Sequence, residues 1–183
     1  FMPLAYGGGI KKVSDAEKVL FLGFEKIIIN SEFYHNPTLV SNCAKNFGSS
    51  SVVVSIDLRE IESGVHEIMI ENGSRKIERN FLDYVKMAED YGAGELLVCS
   101  IDREGTRKGF DVRIYEKLYN KVSIPIIASG GAKDLFDFNE IFCKTNVSAA
   151  SAGELFIFFG KHRAVLINYP EYEEIQEILK ENK

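Results

Sequence analysis

Short apolar runs alternate with amphipathic stretches along the chain. Six runs rich in β-branched residues cover residues 2–6, 26–30, 51–57, 95–102, 124–129 and 147–152. Apolar runs of this length are typical of parallel strands that are buried on both faces. Between them, the helical spacing of apolar residues predicts helices over residues 14–22, 37–47, 81–91, 112–120 and 135–143. The pattern predicts six successive β-α units and an α/β fold.

One segment interrupts this alternation. In residues 67–78, EIMIENGSRKIE, apolar and polar residues alternate around Asn72-Gly73, a dipeptide that favours a tight hairpin turn. We therefore expect a two-stranded hairpin that is inserted after the third strand and lies off the main sheet. Residues 1–183 as a whole are expected to form a single domain.

An internal repeat distinguishes between the β-α folds. The stretch PLAYGGGIKKVSDAEKVL aligns with PIIASGGAKDLFDFNEIF, which begins 122 residues further on, and the alignment matches a proline, two glycines and an aspartate. A second echo, VSID at 54–57 against CSID at 99–102, places an aspartate at the end of two successive strands. In (β/α)8 barrels the catalytic groups lie at these strand ends.

A barrel is favoured over a doubly wound sheet. The phosphate loop of a doubly wound sheet usually has the form GxGxxG, whereas the repeated loops of this chain read GGG and SGG. A complete barrel typically needs about 250 residues. Six units in 183 residues therefore predict a partial TIM barrel that contains strands three to eight, with the first two units upstream.

Composition excludes several classes of protein. The formal net charge is −5 and no long Lys/Arg cluster occurs, whereas binding to nucleic acids or membrane surfaces requires a basic face. No apolar stretch approaches the roughly 20 residues that span a bilayer. Three cysteines without CxxC spacing and three scattered histidines suggest neither a disulfide framework nor a metal site. We expect a cytoplasmic protein that binds no nucleic acid, membrane or metal.

Two glycine-rich loops are candidate phosphate sites. Residues 7–9 (GGG) and 129–131 (SGG) each follow a predicted strand and lead towards a helix. Glycines let backbone N–H groups approach a phosphate closely, and a helix N-terminus adds favourable partial charge. One such loop is explained equally well by a tight turn. Two loops one repeat length apart favour a ligand with a phosphate at each end.

Asp57 is the candidate acid/base residue. It ends the apolar run SVVVSID, where an ionisable side chain is costly unless it faces a polar site. Partial burial would raise its pKa and suit it to transfer protons, although a helix cap or an ion pair with Arg59 would also explain its position. Asp102 ends the next strand, and Gly105 and Thr106 lie in a polar loop that either orders over a ligand or is simply solvated.

Lys26 and Glu95 each begin a predicted strand. They therefore lie at the opposite mouth of the barrel, where residues normally contribute to stability. A surface salt bridge would contribute little there. A charged pair facing this mouth is unusual and is a candidate for a function of its own.

Taken together, PLAYGGGI, KIIIN, VVVSID, GAGELLVCSIDREGTRKGFD and PIIASGGA resemble the cyclase (HisF-type) subunit of imidazole glycerol phosphate synthase. The resemblance implies a lyase of histidine biosynthesis that uses no cofactor. Its ammonia would come from a glutaminase (HisH-type) subunit docked at the N-terminal face of the barrel. Its substrate would be a bis-phosphorylated ribulosyl formimino-aminoimidazole carboxamide nucleotide. The products would be imidazole glycerol phosphate and an aminoimidazole carboxamide ribonucleotide.

The resemblance also implies roles for individual residues. Asp57 matches one of the family's two acid/base aspartates, and the other would lie upstream. Lys26 and Glu95 match two of four charged residues that gate the entry of ammonia. The candidate residues for binding substrate or phosphate are Gly9, Asn30, Asp102, Gly105, Thr106, Gly130, Gly131 and Gly153.

Two features depart from the family pattern. In the run SAASAGELF, Glu154 stands where the family has a serine, and a carboxylate beside a phosphate is repulsive. Residues 160–170, GKHRAVLINYP, are longer and more basic than the usual ending. They resemble a paralogous branch of subunits that accompany amidotransferases in the amidation of bacterial surface sugars. Two alternatives therefore stay open, namely an ammonia-handling subunit for sugar amidination and a non-catalytic phosphate-binding scaffold.

Overall fold

A computed structural model of the chain describes residues 2–160 and 162–180. Its helices and strands follow one another largely as the hydrophobic pattern predicts. In chain order they are β1 (Ala5–Gly7), α1 (Val13–Phe21), β2 (Lys26–Ile29), α2 (Ser31–His35), α3 (Thr38–Phe47), a short 3-10 helix (Ser49–Ser51), β3 (Val52–Glu62), β4 (Val65–Ile70), β5 (Arg75–Ile77), α4 (Phe81–Asp90), β6 (Glu95–Ser100), α5 (Val112–Leu118), β7 (Ile126–Ser129), α6 (Leu135–Lys144), β8 (Ala149–Ser151), α7 (Glu154–Ile157), β9 (Phe158–Phe159), β10 (Ala164–Val165) and α8 (Tyr172–Lys180).

Six parallel strands form one curled sheet in the order β1-β2-β3-β6-β7-β8. Neighbouring strands pair in parallel register, for example Ile28 with Val53 and Val98 with Ala128. Each strand returns to the next through a helical connection, as parallel pairing requires. The predicted α/β class is confirmed, and the strand order is that of a partial (β/α)8 barrel.

The core is built around the central strand β3. All residues from Val52 to Ile56 are buried, so both faces of the strand are covered, as its continuous apolar run predicts. Helices on the outside complete the packing, with the rings of Phe33 and Tyr84 only 5.0 Å apart between centroids. The edge strand β1, in contrast, is exposed along its length.

Among the described helices, none has both the length and the apolar character needed to cross a bilayer.

The segment 67–78 forms an antiparallel pair, β4 and β5, joined by a turn in which Asn72 (φ 58°) and Gly73 (φ 76°) have left-handed backbone. The hairpin lies off the path of the six parallel strands, as expected, and it is attached to that sheet through β3. Strand β3 continues to Glu62, and β4 pairs with its extension between Asp57 and Glu62. The extension and the hairpin satisfy each other's backbone hydrogen-bonding groups, which would otherwise lack partners beyond the barrel sheet. The part of β3 from Asp57 to Glu62, together with β4 and β5, is called the ribbon below.

The two halves of the internal repeat enter their helices in the same way. The Lys11 N–H donates to the Asp15 carboxylate at 3.2 Å, and the Lys133 N–H donates to the Asp137 carboxylate at 2.6 Å. These two pairs are separated by the same 122 residues that align the sequences. The repeat therefore extends from sequence to local hydrogen bonding.

Candidate active site

The strands β1, β2 and β3 end around a cleft of about 350 Å³. Its walls are the loop after β1 (residues 7–11) and the junction of β2 with α2 (residues 28–32). Ser55 and Asp57 of β3 and Asn72 of the ribbon turn complete the lining. This cleft, called the first cleft below, thus combines a glycine-rich backbone wall with polar side chains. Its position at the carboxyl ends of the strands is where barrels carry their chemistry.

Asp57 is the titratable side chain that β3 places in the first cleft. Burial raises the pKa of the Asp57 carboxyl, and hydrogen bonding from the Asn30 and Ser55 side chains lowers it by a smaller amount. A carboxyl with a raised pKa exchanges protons more readily near neutral pH. Asp57, Asn30 and Gly9, all singled out from the sequence, therefore lie around one cavity.

Gly9 keeps the backbone wall of the first cleft open. Its φ is +71°, and an added Cβ would meet no heavy atom within 4 Å. A glycine turns the loop towards the cleft without the strain that other residues would meet at positive φ. No side chain then stands between the backbone of Gly9 and a ligand.

The second glycine loop, residues 129–131, is packed where the first is open. A Cβ on Gly130 would lie 2.4 Å from the Ser100 carbonyl oxygen, and a Cβ on Gly131 would lie 2.4 Å from that of Gly109. The Gly109 N–H also donates to the Gly131 carbonyl at 2.9 Å. These glycines allow the loop after β7 to lie directly against the loop after β6.

Glu154 lies beside the loop after β6, which packs against this second glycine loop. Its side chain is only 7% exposed, and its Oε1 lies 3.1 Å from Nε of Arg107 and 3.2 Å from Nη1 of Arg163. Its Oε2 lies 3.4 Å from the position that a Cβ on Gly105 would take. Gly153 precedes it as the N-cap of α7. Two predicted phosphate-binding glycines therefore surround a carboxylate of the chain itself.

Asp102 and Thr106 stand apart from the first cleft. Asp102 accepts hydrogen bonds from the Ser100 hydroxyl at 3.3 Å and from the Glu60 N–H of the ribbon at 3.4 Å. The Thr106 hydroxyl donates to the Arg103 carbonyl at 2.7 Å. Both side chains thus shape the loop after β6 and its contact with the ribbon.

At the opposite ends of the strands, Lys26 Nζ and the Glu95 carboxylate form an ion pair. Lys26 begins β2 and Glu95 begins β6, so the pair spans the intervening strand β3. The two side chains are 31% and 22% exposed, which withdraws the pair partly from water. Lys26 and Glu95, which were each predicted to lie at this mouth, are therefore in direct contact.

An ionic cluster attaches the ribbon to the loop before α5. The buried Asp111 accepts from Arg113 Nε at 2.8 Å and lies 3.0 Å from Nε2 of His66 on β4, while Arg113 Nη2 also donates to Glu60 at 2.6 Å. Burial raises the pKa of Asp111, but hydrogen bonds from Arg113 and His66 outweigh it and hold that pKa below its usual range. Within the described residues, Glu60, His66 and Asp111 are the one group spaced to hold a metal ion. The Arg113 guanidinium already supplies positive charge to both carboxylates.

Sequence reasoning missed several residues of these sites. Ser55 is detectable in principle, because it precedes Asp57 by two positions and so shares its face of the strand. Asn72 reaches the first cleft only through the folding of the ribbon. Arg107 and Arg163 reach Glu154 only through the packing of two loops. No local pattern marks these last three residues.

Comparisons with known proteins identify relatives over nearly the whole chain. The family model described as "Histidine biosynthesis protein" matches residues 1–163. A putative imidazole glycerol phosphate synthase subunit hisF2 of Pseudomonas aeruginosa is 46% identical over 175 residues, which are 96% of this chain and 70% of the relative. A putative subunit HisF of Leptospira borgpetersenii is 42% identical over 170 residues, 92% of this chain and 67% of the relative. The imidazole glycerol phosphate synthase subunit HisF of Legionella pneumophila is 45% identical over 139 residues, 76% of this chain and 66% of the relative.

Proposed function

The chain belongs to the histidine biosynthesis protein family, and from this premise we propose that it is the ammonia-dependent cyclase subunit of an imidazole glycerol phosphate synthase. The reaction would be that of a lyase. It would combine ammonia with the bis-phosphorylated ribulosyl formimino-aminoimidazole carboxamide nucleotide to give imidazole glycerol phosphate and an aminoimidazole carboxamide ribonucleotide. The observation that carries the proposal is the position of Asp57 in a cleft with a glycine-rich wall.

Asp57 would move the protons of this reaction. When ammonia attacks a carbon of the substrate, its nitrogen must lose protons, and the group that leaves must gain one. A carboxyl group with a raised pKa is able to donate a proton in one step and to take one back in another. The Asn30 and Ser55 side chains beside it would hold the carboxyl in one orientation.

The first cleft would hold a phosphate of the substrate. Its loop of residues 7–9 exposes glycine backbone, and Asn30 adds a side-chain amide to the same cavity. Backbone N–H groups and amides are common partners of phosphate oxygens. A phosphate fixed there would place the rest of the substrate beside Asp57.

Ammonia would enter from the opposite mouth. The Lys26–Glu95 ion pair lies at the strand ends there, so its opening or shift would control passage into the barrel. Phe21, Leu22 and Tyr119, at the ends of α1 and α5 towards the same mouth, are 91%, 77% and 60% exposed. Exposed aromatic and aliphatic side chains of this kind suit a protein interface. A glutaminase subunit docked on this face would cover them and deliver ammonia to the ion pair.

A second candidate function is the ammonia-handling subunit for amidination of surface sugars. One observation favours it. Glu154 lies beside Gly105, in the loop that packs against the second glycine loop, and Arg107 and Arg163 lie on its carboxylate. A bis-phosphorylated substrate would need room there for its second phosphate. The nitrogen chemistry and the Lys26–Glu95 pair would be the same for both candidates, and only the acceptor of ammonia would differ.

Ammonium-supported turnover of the bis-phosphorylated nucleotide tests the proposal. Full-length protein is assayed without glutaminase at alkaline pH, where free ammonia is abundant. Asp57→Asn keeps the shape of the side chain but does not exchange protons, so kcat should fall by about 100-fold or more while substrate binding is retained. Glu62→Gln makes the matched carboxyl-to-amide change at the exposed end of the same strand and should retain turnover.

Turnover by Asp57→Asn at the level of the unchanged protein would contradict the role of Asp57. Absence of turnover from folded, unchanged protein would favour the second candidate function. In that case, ammonia transfer to a sugar acceptor becomes the reaction to assay.

A further inference from the structure

The four-residue turn of the ribbon, between Ile70 and Arg75, has an unusual backbone. Three residues in succession are left-handed, namely Glu71 (φ 54°), Asn72 (φ 58°) and Gly73 (φ 76°). A two-residue hairpin turn requires this conformation at only two positions, and glutamate is not among the residues that adopt it readily. The backbone at Glu71 is therefore strained, and such a conformation persists only where the surrounding structure holds it.

Contacts with α2 hold the turn on the side of the first cleft. The Glu71 N–H donates to the Ser31 hydroxyl oxygen at 2.8 Å, and Ser31 is itself part of the lining of the first cleft. The Glu71 carboxylate lies 3.5 Å from Nε2 of His35 and 3.1 Å from Nη1 of Arg75. The strained residue thus attaches the turn to the helix that follows β2.

Arg59 and the loop after β6 hold the other side of the turn. Arg59 Nη2 donates to the Gly73 carbonyl at 2.7 Å, and a Cβ on Gly73 would lie 2.8 Å from Cδ1 of Ile101. Asn72 stands between these two sets of contacts and lines the first cleft. The anchored turn therefore presents one particular residue, Asn72, to the cavity that contains Asp57.

The side-chain amide of Asn72 is available to a ligand. It is exposed, and within the part of the chain that the structure describes it takes part in no hydrogen bond. The amide of Asn30 in the same cleft, in contrast, is hydrogen-bonded to the Asp57 carboxyl. An amide both donates and accepts hydrogen bonds, as a hydroxyl group does, whereas a phosphate dianion only accepts them. The Asn72 amide is therefore better matched to a hydroxyl than to a phosphate.

The ribbon turn and the glycine wall belong to different parts of the first cleft. The proposed phosphate position is at residues 7–9 and Asn30. Asn72 follows Met69 by three positions, and Met69 is the residue of β4 that pairs with Asp57. We therefore expect Asn72 to reach the part of a substrate that lies beside Asp57, next to the phosphate.

We propose that Asn72 is a specificity-determining residue that holds a hydroxyl group of a phosphorylated sugar in the first cleft, and that Ser31 positions it through Glu71. The inference rests on the proposed function for the phosphate in this cleft, and it names the group that is recognised beside that phosphate. The strained backbone at Glu71 is the consequence of holding the turn against α2.

NMR titration of ¹⁵N-labelled full-length protein with two probes tests the inference. Ribulose 5-phosphate carries sugar hydroxyls and one phosphate, whereas inorganic phosphate carries no sugar. Asn72→Gly removes the amide and suits a left-handed backbone, so the variant should fold. Its affinity for ribulose 5-phosphate should fall by about fivefold or more, which corresponds to the loss of one hydrogen bond. Its affinity for inorganic phosphate should stay within about twofold of the unchanged protein.

Two further variants complete the experiment. Asn120→Gly is the matched control, because Asn120 is also exposed and left-handed (φ 57°) but follows α5 and is not part of the lining of the first cleft. It should leave both affinities unchanged. Ser31→Ala removes the acceptor of the Glu71 N–H and should weaken binding of ribulose 5-phosphate. In the Asn72→Gly protein the same substitution should have no further effect, because Ser31 acts through Asn72.

Unaltered affinity of Asn72→Gly for ribulose 5-phosphate would overturn the inference. So would an equal loss for both probes, the same loss in Asn120→Gly, or no binding of ribulose 5-phosphate to the unchanged protein. A further loss on adding Ser31→Ala to Asn72→Gly would overturn the positioning role of Ser31. The predicted selective loss in a protein without cyclase turnover would contradict only the proposed function, so the two proposals fail separately.

Discussion

Tyr115 joins two strands at the point where the second glycine loop begins. Its ring is fully buried, its hydroxyl lies 2.8 Å from the Val98 carbonyl oxygen of β6, and it accepts from the Ser129 N–H of β7 at 3.0 Å. Tyr115→Phe removes this oxygen and keeps the ring. The substitution therefore isolates the hydrogen bonds of the hydroxyl from the packing of α5 against the sheet.

The expected loss of stability follows from the two residues to which the Tyr115 hydroxyl is hydrogen-bonded. Without the hydroxyl, the Ser129 N–H loses its acceptor and the Val98 carbonyl loses a donor, both beside a buried side chain. A buried hydrogen bond contributes about 1 kcal/mol net, and an unsatisfied buried donor costs about 1–3 kcal/mol. We expect Tyr115→Phe to lower the free energy of unfolding by about 2 kcal/mol.

Equilibrium unfolding in urea measures this change, with an unaltered m value indicating that the folded state stays compact. Tyr119→Phe is the matched control, because Tyr119 follows the same helix and is 60% exposed. The control should change stability by less than about 0.5 kcal/mol. Equal losses in the two variants, or a loss below about 0.5 kcal/mol in Tyr115→Phe, would refute the reasoning.

Two further substitutions test the site. Asp57→Asn should raise the free energy of unfolding at neutral pH, because burial raises the pKa of Asp57 and the folded chain is penalised by its ionised form. The gain should shrink as the pH falls through the folded pKa and vanish below the unfolded value of about 3.9; a constant gain across a pH series of unfolding curves would contradict this. Gly131→Ala should cost more than about 2 kcal/mol, because its Cβ would lie 2.4 Å from the Gly109 carbonyl oxygen, whereas Gly9→Ala should cost about 1 kcal/mol from backbone strain alone. Equal shifts in thermal unfolding would show that the second loop is not packed as described.

The strands were predictable from the sequence where burial of both faces alone determines which residues form them. Residues 52–56 are apolar or small throughout because both faces of β3 are covered. The far end of β3 was not predictable in this way. The stretch up to Glu62 is strand because β4 pairs with it, and that pairing depends on the turn around Asn72. The predicted strand ends at residue 57, and charged residues dominate the stretch that follows.

The positions of the site residues were predictable where they depend only on the carboxyl ends of parallel strands meeting at one edge of the sheet. Asp57, Asn30 and Gly9 converge because parallel strands bring their carboxyl ends to one edge. Asp102 has the same SID context as Asp57, yet β6 ends at Ser100 and the Asp102 side chain turns to the ribbon. The environment of Glu154 depends on arginines from two other segments. Contacts of this kind belong to the tertiary fold and leave no trace in local spacing.

An isotope competition tests most directly whether ammonia reaches the reaction centre from the opposite mouth of the barrel. Full-length protein and the glutaminase subunit proposed as its partner receive glutamine labelled with ¹⁵N at the amide, together with an excess of unlabelled ammonium near neutral pH. Ammonia that passes the Lys26–Glu95 pair inside the complex should label most of the product, and Lys26→Met should dilute the label by disturbing that entrance. Product that takes up ¹⁵N only in proportion to the ammonia in solution would contradict the internal route.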